Sequence, residues 1–175
     1  MKENNIEKSF IKIEDFPVIV LSDNMRSFFS FMIKKHTKGY YSHIMIMYEK
    51  DKLASQNMFF RSVAIEEYLK PYIRLKFFGF KNLSPSQREI MIEAIKRDLK
   101  DKWYKRTYDF LGIFGHLIHI PKLNNPFKTY CTERVNKYLR LIGYNPPKHP
   151  TPAQMNRWLV ENDDFSKLGY WFELK

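Results

Sequence analysis

The hydrophobic and polar positions along the chain follow two periods, and the changes between them predict an α+β fold. Apolar runs bounded by turn residues are typical of strands, and these cover Phe10–Leu21, Tyr41–Glu49, Leu53–Phe60, Tyr72–Phe78 and Phe165–Leu174. Apolar residues spaced three or four apart are typical of helices, and these cover Met25–Lys35, Ala64–Lys70, Ser84–Lys102, Cys131–Ile142 and Thr151–Glu161. We therefore expect a single domain over residues 10–175, with residues 1–9 as a flexible N-terminus.

The run Tyr41–Glu49 is apolar on both alternating faces, which is typical of a central strand in a sheet. His43 is the polar exception near its start. A buried histidine held by one hydrogen bond is the structural alternative to a functional one. Lys50–Lys52 predicts a polar turn, so that Leu53–Phe60 returns beside this strand as a hairpin.

The predicted helices differ in how clearly the sequence marks their first residue. Ser84–Gln87 combines an N-cap serine, a proline in the first turn and a glutamine placed to close a capping box, and Thr151 followed by Pro152 starts another helix. The helix Met25–Lys35 is marked less clearly, and we expect Ser22 or Asp23 to cap it. Its predicted buried face consists of Phe28, Phe29, Met32 and Ile33.

Cys131 is the only cysteine of the chain, and the spacing of the apolar residues places it in the first turn of a helix. Unpaired backbone N–H groups and the positive end of the helix dipole favour a thiolate there, which is the nucleophilic form. The alternative is a small buried hydrophobic residue, because Cys131 also lies on the apolar stripe of its helix. The stripe continues through Val135, Tyr138, Leu139 and Ile142.

A single cysteine excludes an intrachain disulfide and argues against a structural zinc site. His116 and His119 are three residues apart and could share a metal on a helix, but no third ligand is placed near them. The sequence therefore predicts no metal and no other cofactor.

The composition describes a folded chain of 175 residues, 44% of them hydrophobic and 17% aromatic. Its formal charge of +11 suits an anionic polymer or a membrane surface as a partner. The basic residues are scattered and match no nucleic-acid-binding motif, so solvated faces are the favoured interpretation and nucleic acid is a less favoured partner. We expect neither a signal peptide nor a transmembrane segment, because the N-terminus is polar and no apolar run approaches ~20 residues.

Five short motifs follow one another in an order that resembles a known family. They are Pro17-Val18-Ile19-Val20-Leu21, Tyr41-Ser42-His43-Ile44, Tyr108-Asp109-Phe110, Tyr130-Cys131-Thr132-Glu133-Arg134-Val135 and Thr151-Pro152. Their order is similar to that of the circularly permuted papain-like hydrolases of the YiiX and YaeF type in the NlpC-like superfamily, where the histidine precedes the cysteine. The resemblance implies a small antiparallel sheet or barrel packed against helices, with the cysteine at a helix N-terminus.

The resemblance also implies a thiol hydrolase that works through an acyl-enzyme. Cys131 would be the nucleophile, its thiolate favoured by a His43 imidazolium, and His43 would then protonate the leaving group and activate water. The family's third polar residue stands on the strand after the histidine strand, at the position of Ser55 in this chain, although serine orients an imidazole weakly. Gln56 is adjacent but should point to the opposite face unless a bulge turns it inward.

The family acts on peptide cross-links, lipid esters and other acyl groups, and small hydrolases of this kind also occur in phages. The resemblance therefore implies a peptidase, amidase or acyl esterase, with a cytoplasmic or virion-associated localisation. The competing hypothesis is a non-catalytic basic structural or binding protein, for example a virion component, that keeps the fold. The sequence predicts no particular oligomeric state.

Overall fold

The computed structural model describes residues 16–57, 59–101 and 130–171. Its strands are β1 (Val18–Asn24), β2 (His43–Glu49), β3 (Lys52–Gln56), β4 (Phe60–Ala64), β5 (Ile73–Phe80) and β6 (Phe165–Trp171). Its helices are α1 (Phe28–Thr37), α2 (Pro85–Lys100), α3 (Cys131–Leu141) and α4 (Pro152–Glu161), with a short 3-10 turn at Ile65–Glu67. The predicted α+β class is confirmed.

The six strands form one antiparallel sheet in the order β4-β3-β2-β1-β5-β6. The strand β2 lies in its interior, between β1 and β3, as its two apolar faces predict. Side chains on its two faces enter separate buried clusters, with Ile44 and Ile46 in one and Met45 and Met47 in the other. The helices α2, α3 and α4 contribute to the Ile44 cluster, which we call the helical face of the sheet.

Two helix starts lie where the sequence predicts them. Ser84 caps α2 and Thr151 caps α4, and in each case a glutamine three residues on completes a capping box with proline in the first turn. The helix α3 begins at Cys131, and the predicted stripe from Val135 to Ile142 is buried. These helix starts depend on hydrogen bonds between residues at most three positions apart, so the sequence alone is enough to predict them.

A buried ionic cluster joins α2 to α3. Oδ2 of Asp98 accepts hydrogen bonds from Arg134 Nη1 at 3.2 Å, Lys137 Nζ at 2.5 Å and Tyr138 OH at 2.9 Å. Burial alone would raise the pKa of Asp98, but the hydrogen bonds and the two cations hold that pKa below its ordinary value. The carboxylate therefore stays charged and fixes α3 against α2.

Other predicted boundaries are wrong. The strand β1 continues through Ser22 and Asp23, so neither residue caps α1, and the cap is Ser27, whose hydroxyl accepts a hydrogen bond from Ser30 N. The predicted helix at Ala64–Lys70 is reduced to the 3-10 turn, because the backbone of Ala64 belongs to β4 and pairs with β3. Pairing within the sheet overrides the local helical pattern at this point.

The predicted buried face of α1 is also wrong. Phe28, Phe29 and Met32 are exposed, whereas Ser30 is buried. The reason is a polar anchor on the other side of the helix, where Lys34 forms an ion pair with the buried carboxylate of Asp23. This ion pair fixes the rotation of α1 about its axis, with Lys34 towards the sheet and the phenylalanines towards solvent.

Some sequence predictions lie outside the described residues. They include the strand before Phe16, the Tyr108-Asp109-Phe110 motif, the pair His116 and His119, and the chain after residue 171. Among the helices of the described residues, none combines the length and apolarity that a membrane span requires.

We expect Asp98→Asn to lower the free energy of unfolding by about 3 kcal/mol, because it leaves the Arg134 guanidinium buried without its counter-charge. Chemical denaturation would measure this. Glu67→Gln is the matched control, since it breaks an exposed ion pair with Arg61 and should cost less than about 1 kcal/mol. Equal losses in the two variants would contradict a structural role for the Asp98 cluster.

Candidate active site

His43 opens β2, and a side-chain hydrogen bond fixes its ring. Its Nε2 lies 3.0 Å from Ser55 Oγ on the neighbouring strand β3. The register pairs Met45 with Ser55, so His43 and Ser55 are diagonal neighbours on the same face of the sheet. Ser55 is fully buried, so water does not compete for its hydroxyl.

The hydroxyl of Ser55 belongs to a longer chain of hydrogen bonds. Ser55 Oγ lies 3.0 Å from Tyr68 OH, and Asn57 Nδ2 donates to the same phenol oxygen at 2.9 Å. Burial raises the pKa of Tyr68, so the phenol keeps its proton. The histidine is therefore supported by three uncharged groups, with no carboxylate among them.

Sequence reasoning did not find Tyr68 or Asn57. Tyr68 lies in the stretch that was expected to be a helix, and in the structure it follows the 3-10 turn and packs against the cluster of Met45 and Met47. Asn57 follows directly after β3, where an amide is an ordinary turn residue. The spacing of apolar residues along the chain does not predict the contacts of Tyr68 with Ser55 and Asn57.

Burial lowers the pKa of His43 to about 4. At neutral pH the imidazole is therefore uncharged, which differs from the imidazolium that the sequence led us to expect. A neutral imidazole can accept a proton from a thiol, but it supplies no positive charge to hold a thiolate beforehand.

Cys131 is the first residue of α3 and is buried, with 3% of its surface exposed. It belongs to the cluster on the helical face, together with Ile44, the residue after His43. The Arg134 guanidinium lies 4.6 Å from the centre of the Phe60 ring, and Phe60 pairs with Gln56 at the end of β3. The N-terminus of α3 therefore lies near the end of the sheet where β2 begins and β3 ends.

Strand alternation assigns these side chains to the two faces of the sheet. His43 and Ser55 share the face of Met45, whereas Gln56 and Cys131 lie on the helical face with Ile44. The register pairs Gln56 with Phe60, which belongs to the cluster on the helical face, so strand alternation places Gln56 on the face opposite His43. Ser55 is thus the strand residue that holds the ring, and a thiol and imidazole would have to meet at the end of β2.

The first turn of α3 keeps its backbone donors uncapped by the preceding side chain. Tyr130 stands at the N-cap position and makes no side-chain cap hydrogen bond. Thr132 Oγ1 donates to the carbonyl of Pro150 at 2.5 Å, and Glu133 Oε1 lies 2.8 Å from His149 Nδ1. These contacts tie the helix start to the loop before α4.

Comparison with known proteins gives a structural match without a sequence match. No family model and no curated protein matches the chain. A solved structure, described as metalloprotein YiiX from Escherichia coli O157:H7, matches 90% of this chain and 97% of its own with a TM-score of 0.59 and 13% sequence identity. The chain has the YiiX fold.

The YiiX fold confirms the coarse part of the sequence interpretation, since YiiX is the type that the order of the motifs resembles. The NlpC-like assignment and the circular permutation stay predictions. At 13% identity the likeness concerns the architecture, and the roles of Cys131, His43, Ser55 and Gln56 are likewise predictions.

A metal site requires several His, Cys, Asp or Glu side chains placed close together. Within residues 16–57, 59–101 and 130–171, no three His, Cys, Asp or Glu side chains are grouped so that they could hold a metal ion. Glu133 and His149 are in contact, but they form a pair and not a group of three or four ligands.

We expect the free energy of unfolding to be about 2 kcal/mol lower at pH 5 than at pH 7 on account of His43. The reason is that the imidazole has a pKa near 6.5 in the unfolded chain and a pKa of about 4 in the folded protein. At pH 5 the unfolded chain therefore binds a proton at His43 and the folded protein does not. The stabilisation is thus lost as the pH falls from 6.5 and the loss levels off below pH 4. Denaturant titrations at several pH values would measure it.

His43→Gln should remove this part of the pH dependence, because glutamine does not titrate. His36→Gln, a change at an exposed histidine, should leave it in place. A His43→Gln protein with the full dependence of the wild type would show that another group is responsible.

Proposed function

We propose that this protein is a thiol hydrolase in which Cys131 is the nucleophile and His43 the general base. The hydrogen bond between His43 Nε2 and Ser55 Oγ is the observation that carries the proposal. It occupies Nε2, so Nδ1 is the ring nitrogen left to exchange a proton with a thiol. The YiiX fold and the start of α3 at Cys131 support the same assignment.

The reaction requires Cys131 Sγ and His43 Nδ1 to meet around the end of β2, because the two residues lie on opposite faces of the sheet. It begins when the sulfur attacks a carbonyl carbon and the thiol proton passes to Nδ1. Backbone N–H groups in the first turn of α3 face the oxygen that gains negative charge. The imidazolium then gives its proton to the leaving group, and an acyl-enzyme remains on the sulfur. Water attacks this thioester with His43 again accepting a proton, which releases the acid and restores the thiol.

Ser55 is a positioning residue in this scheme. For Nδ1 to accept a proton, Nε2 must carry one and donate it to Ser55 Oγ, and Tyr68 and Asn57 hold the serine in place. The three groups are neutral, so they orient the ring without stabilising its charged form. We therefore expect a slower enzyme than one whose histidine faces a carboxylate.

The substrate class is proposed as an acyl ester, amide or thioester, including peptide and lipid forms. The chemistry of a thiol nucleophile with a neutral base fits all three. The net charge of +11 favours an anionic substrate or one held at an anionic surface.

We expect an activated ester such as p-nitrophenyl butyrate to leave a butyryl group on Cys131, measured by mass spectrometry of the intact protein. The chain has one cysteine, so a thiol adduct identifies its own site. His43→Ala should slow acylation at least about a hundredfold, the lower end of the range for general base catalysis. Ser55→Ala should slow it less, while Ser55→Thr, which keeps a hydroxyl, should recover part of the rate.

His36→Ala is the matched control, because it removes an exposed histidine from outside the site. Acylation of the wild type and of His43→Ala at the same slow rate would exclude His43 as the base.

We also expect the acid limb of kcat/KM to have its midpoint near pH 4, the pKa to which burial lowers His43. Activity should persist at pH 5, where a solvent-exposed imidazole is mostly protonated. A pH profile of ester hydrolysis between pH 3 and pH 8 would measure this. A midpoint near pH 6.5 would mean that the base is a histidine in contact with water.

A non-catalytic role is the second candidate, and the arrangement of the sheet favours it. Cys131 packs on the helical face while the imidazole of His43 bonds on the opposite face. In that case we expect Cys131→Ser to leave binding to an anionic polymer unchanged, because the basic charge and not the thiol provides the binding. Absence of any acyl adduct, together with salt-sensitive binding to a polyanion, would decide for this candidate.

A further inference from the structure

The helix α1 presents its aromatic side chains to solvent. Phe28, Phe29 and Phe31 have 72%, 69% and 54% of their surfaces exposed, and Met32 has 39%. Tyr40, just beyond the helix, is 77% exposed. Single exposed apolar residues are common on proteins, but five within thirteen positions form a contiguous surface that needs an explanation.

Polar contacts on the inner side of α1 prevent the helix from turning this surface inward. Ser30 is buried and its hydroxyl lies 2.7 Å from Ser42 Oγ. Lys34 Nζ lies 2.8 Å from the carboxylate of Asp23, which is itself 1% exposed. Rotating the helix to bury its phenylalanines would break both contacts and leave the Asp23 charge buried without a partner, which is costly.

The charged residues in and next to α1 along the chain have one sign. The stretch from Asn24 to Ser42 contains no Asp or Glu, and its cations are Arg26, Lys34, Lys35 and Lys38. Lys34 is paired with Asp23, while Arg26, Lys35 and Lys38 are exposed. The surface therefore combines large apolar groups with a positive potential.

We propose that α1 docks on an anionic lipid bilayer, lying in the plane of the membrane surface. Phenylalanines on one face of a helix insert at the boundary of headgroups and acyl chains, while tyrosine stays at headgroup level. Exposed Lys and Arg beside them attract the anionic headgroups, with each cation adding to the affinity. The charge complementarity favours lipid over a second copy of this chain, which would bring like charges together.

Docking in this way places the end of the sheet near the membrane. Tyr40 lies three residues before His43, the first residue of β2, so the bilayer would face the end of the sheet at which His43 lies. The proposal does not depend on catalysis, and it holds equally for an enzyme and for a binding protein.

The test is cosedimentation of the full chain with vesicles of phosphatidylcholine containing 30% phosphatidylserine, compared with pure phosphatidylcholine. We expect binding to the anionic vesicles that falls as salt is raised. The triple variant Phe28→Ser, Phe29→Ser, Phe31→Ser should lower the partition coefficient at least tenfold. The charge variant Lys35→Glu, Lys38→Glu should lower it as well and reduce its salt dependence.

The matched controls change residues of similar exposure elsewhere. Ile90→Ser with Val160→Ser removes two exposed apolar side chains, and Lys81→Glu with Lys148→Glu reverses two exposed cations. Both should bind within about twofold of the wild type.

The proposal is overturned if the wild type does not bind the anionic vesicles at low salt, or if the triple variant binds as well as its control. It is also overturned if binding to pure phosphatidylcholine is equally strong. The alternative occupant of this surface is a second copy of the chain, and analytical ultracentrifugation tests for it. If the wild type is a dimer that binds no lipid, and the triple variant is a monomer, the surface serves self-association. Circular dichroism establishes that each variant keeps its fold.

Discussion

The burial of β2 on both faces is the constraint on which the candidate site depends. Ile44 and Ile46 pack under the helices, and Met45 and Met47 pack into the second cluster, so His43, partly exposed at the start of the strand, adjoins a segment that is buried on both sides. His43 therefore has a lowered pKa, and a hydrogen bond to Ser55 on the neighbouring strand β3 holds its ring. One physical cause, desolvation, explains both the neutral ring and the need for Ser55.

A neutral histidine changes the chemistry without excluding it. An ion pair between thiolate and imidazolium requires an environment that stabilises two charges. The chain of hydrogen bonds that begins at His43 consists of a serine, a phenol and an amide, all uncharged. General base catalysis requires charge only as the proton moves, so it is compatible with an imidazole whose pKa is lowered by burial. The YiiX fold describes the architecture alone, so the proposed chemistry depends on the residues that this chain places on it.

The parts of the structure that sequence reasoning predicted are those set by local chemistry or by periodicity alone. The capping boxes of Ser84 and Thr151, the central position of β2 and the start of α3 are of this kind. Counting along the hairpin also reached Ser55 as the residue beside His43, because strand spacing is regular. Tyr68 was missed, since its contact with Ser55 depends on how the chain turns after β4.

The helix α1 shows a different limit of sequence reasoning. Its apolar spacing identifies a helix, but spacing cannot tell which side faces the core when both sides have something to bury. The polar side of α1 faces the core because its partners there are buried. Lys34 contacts the carboxylate of Asp23, and Ser30 contacts the hydroxyl of Ser42. Turning the helix over would leave the Asp23 carboxylate buried without its cation and the Ser42 hydroxyl without its partner, and both losses oppose burial of the aromatic rings. The aromatic surface is thus a consequence of a charge placed in β1, and local rules of this kind are broken most often where a protein meets a partner.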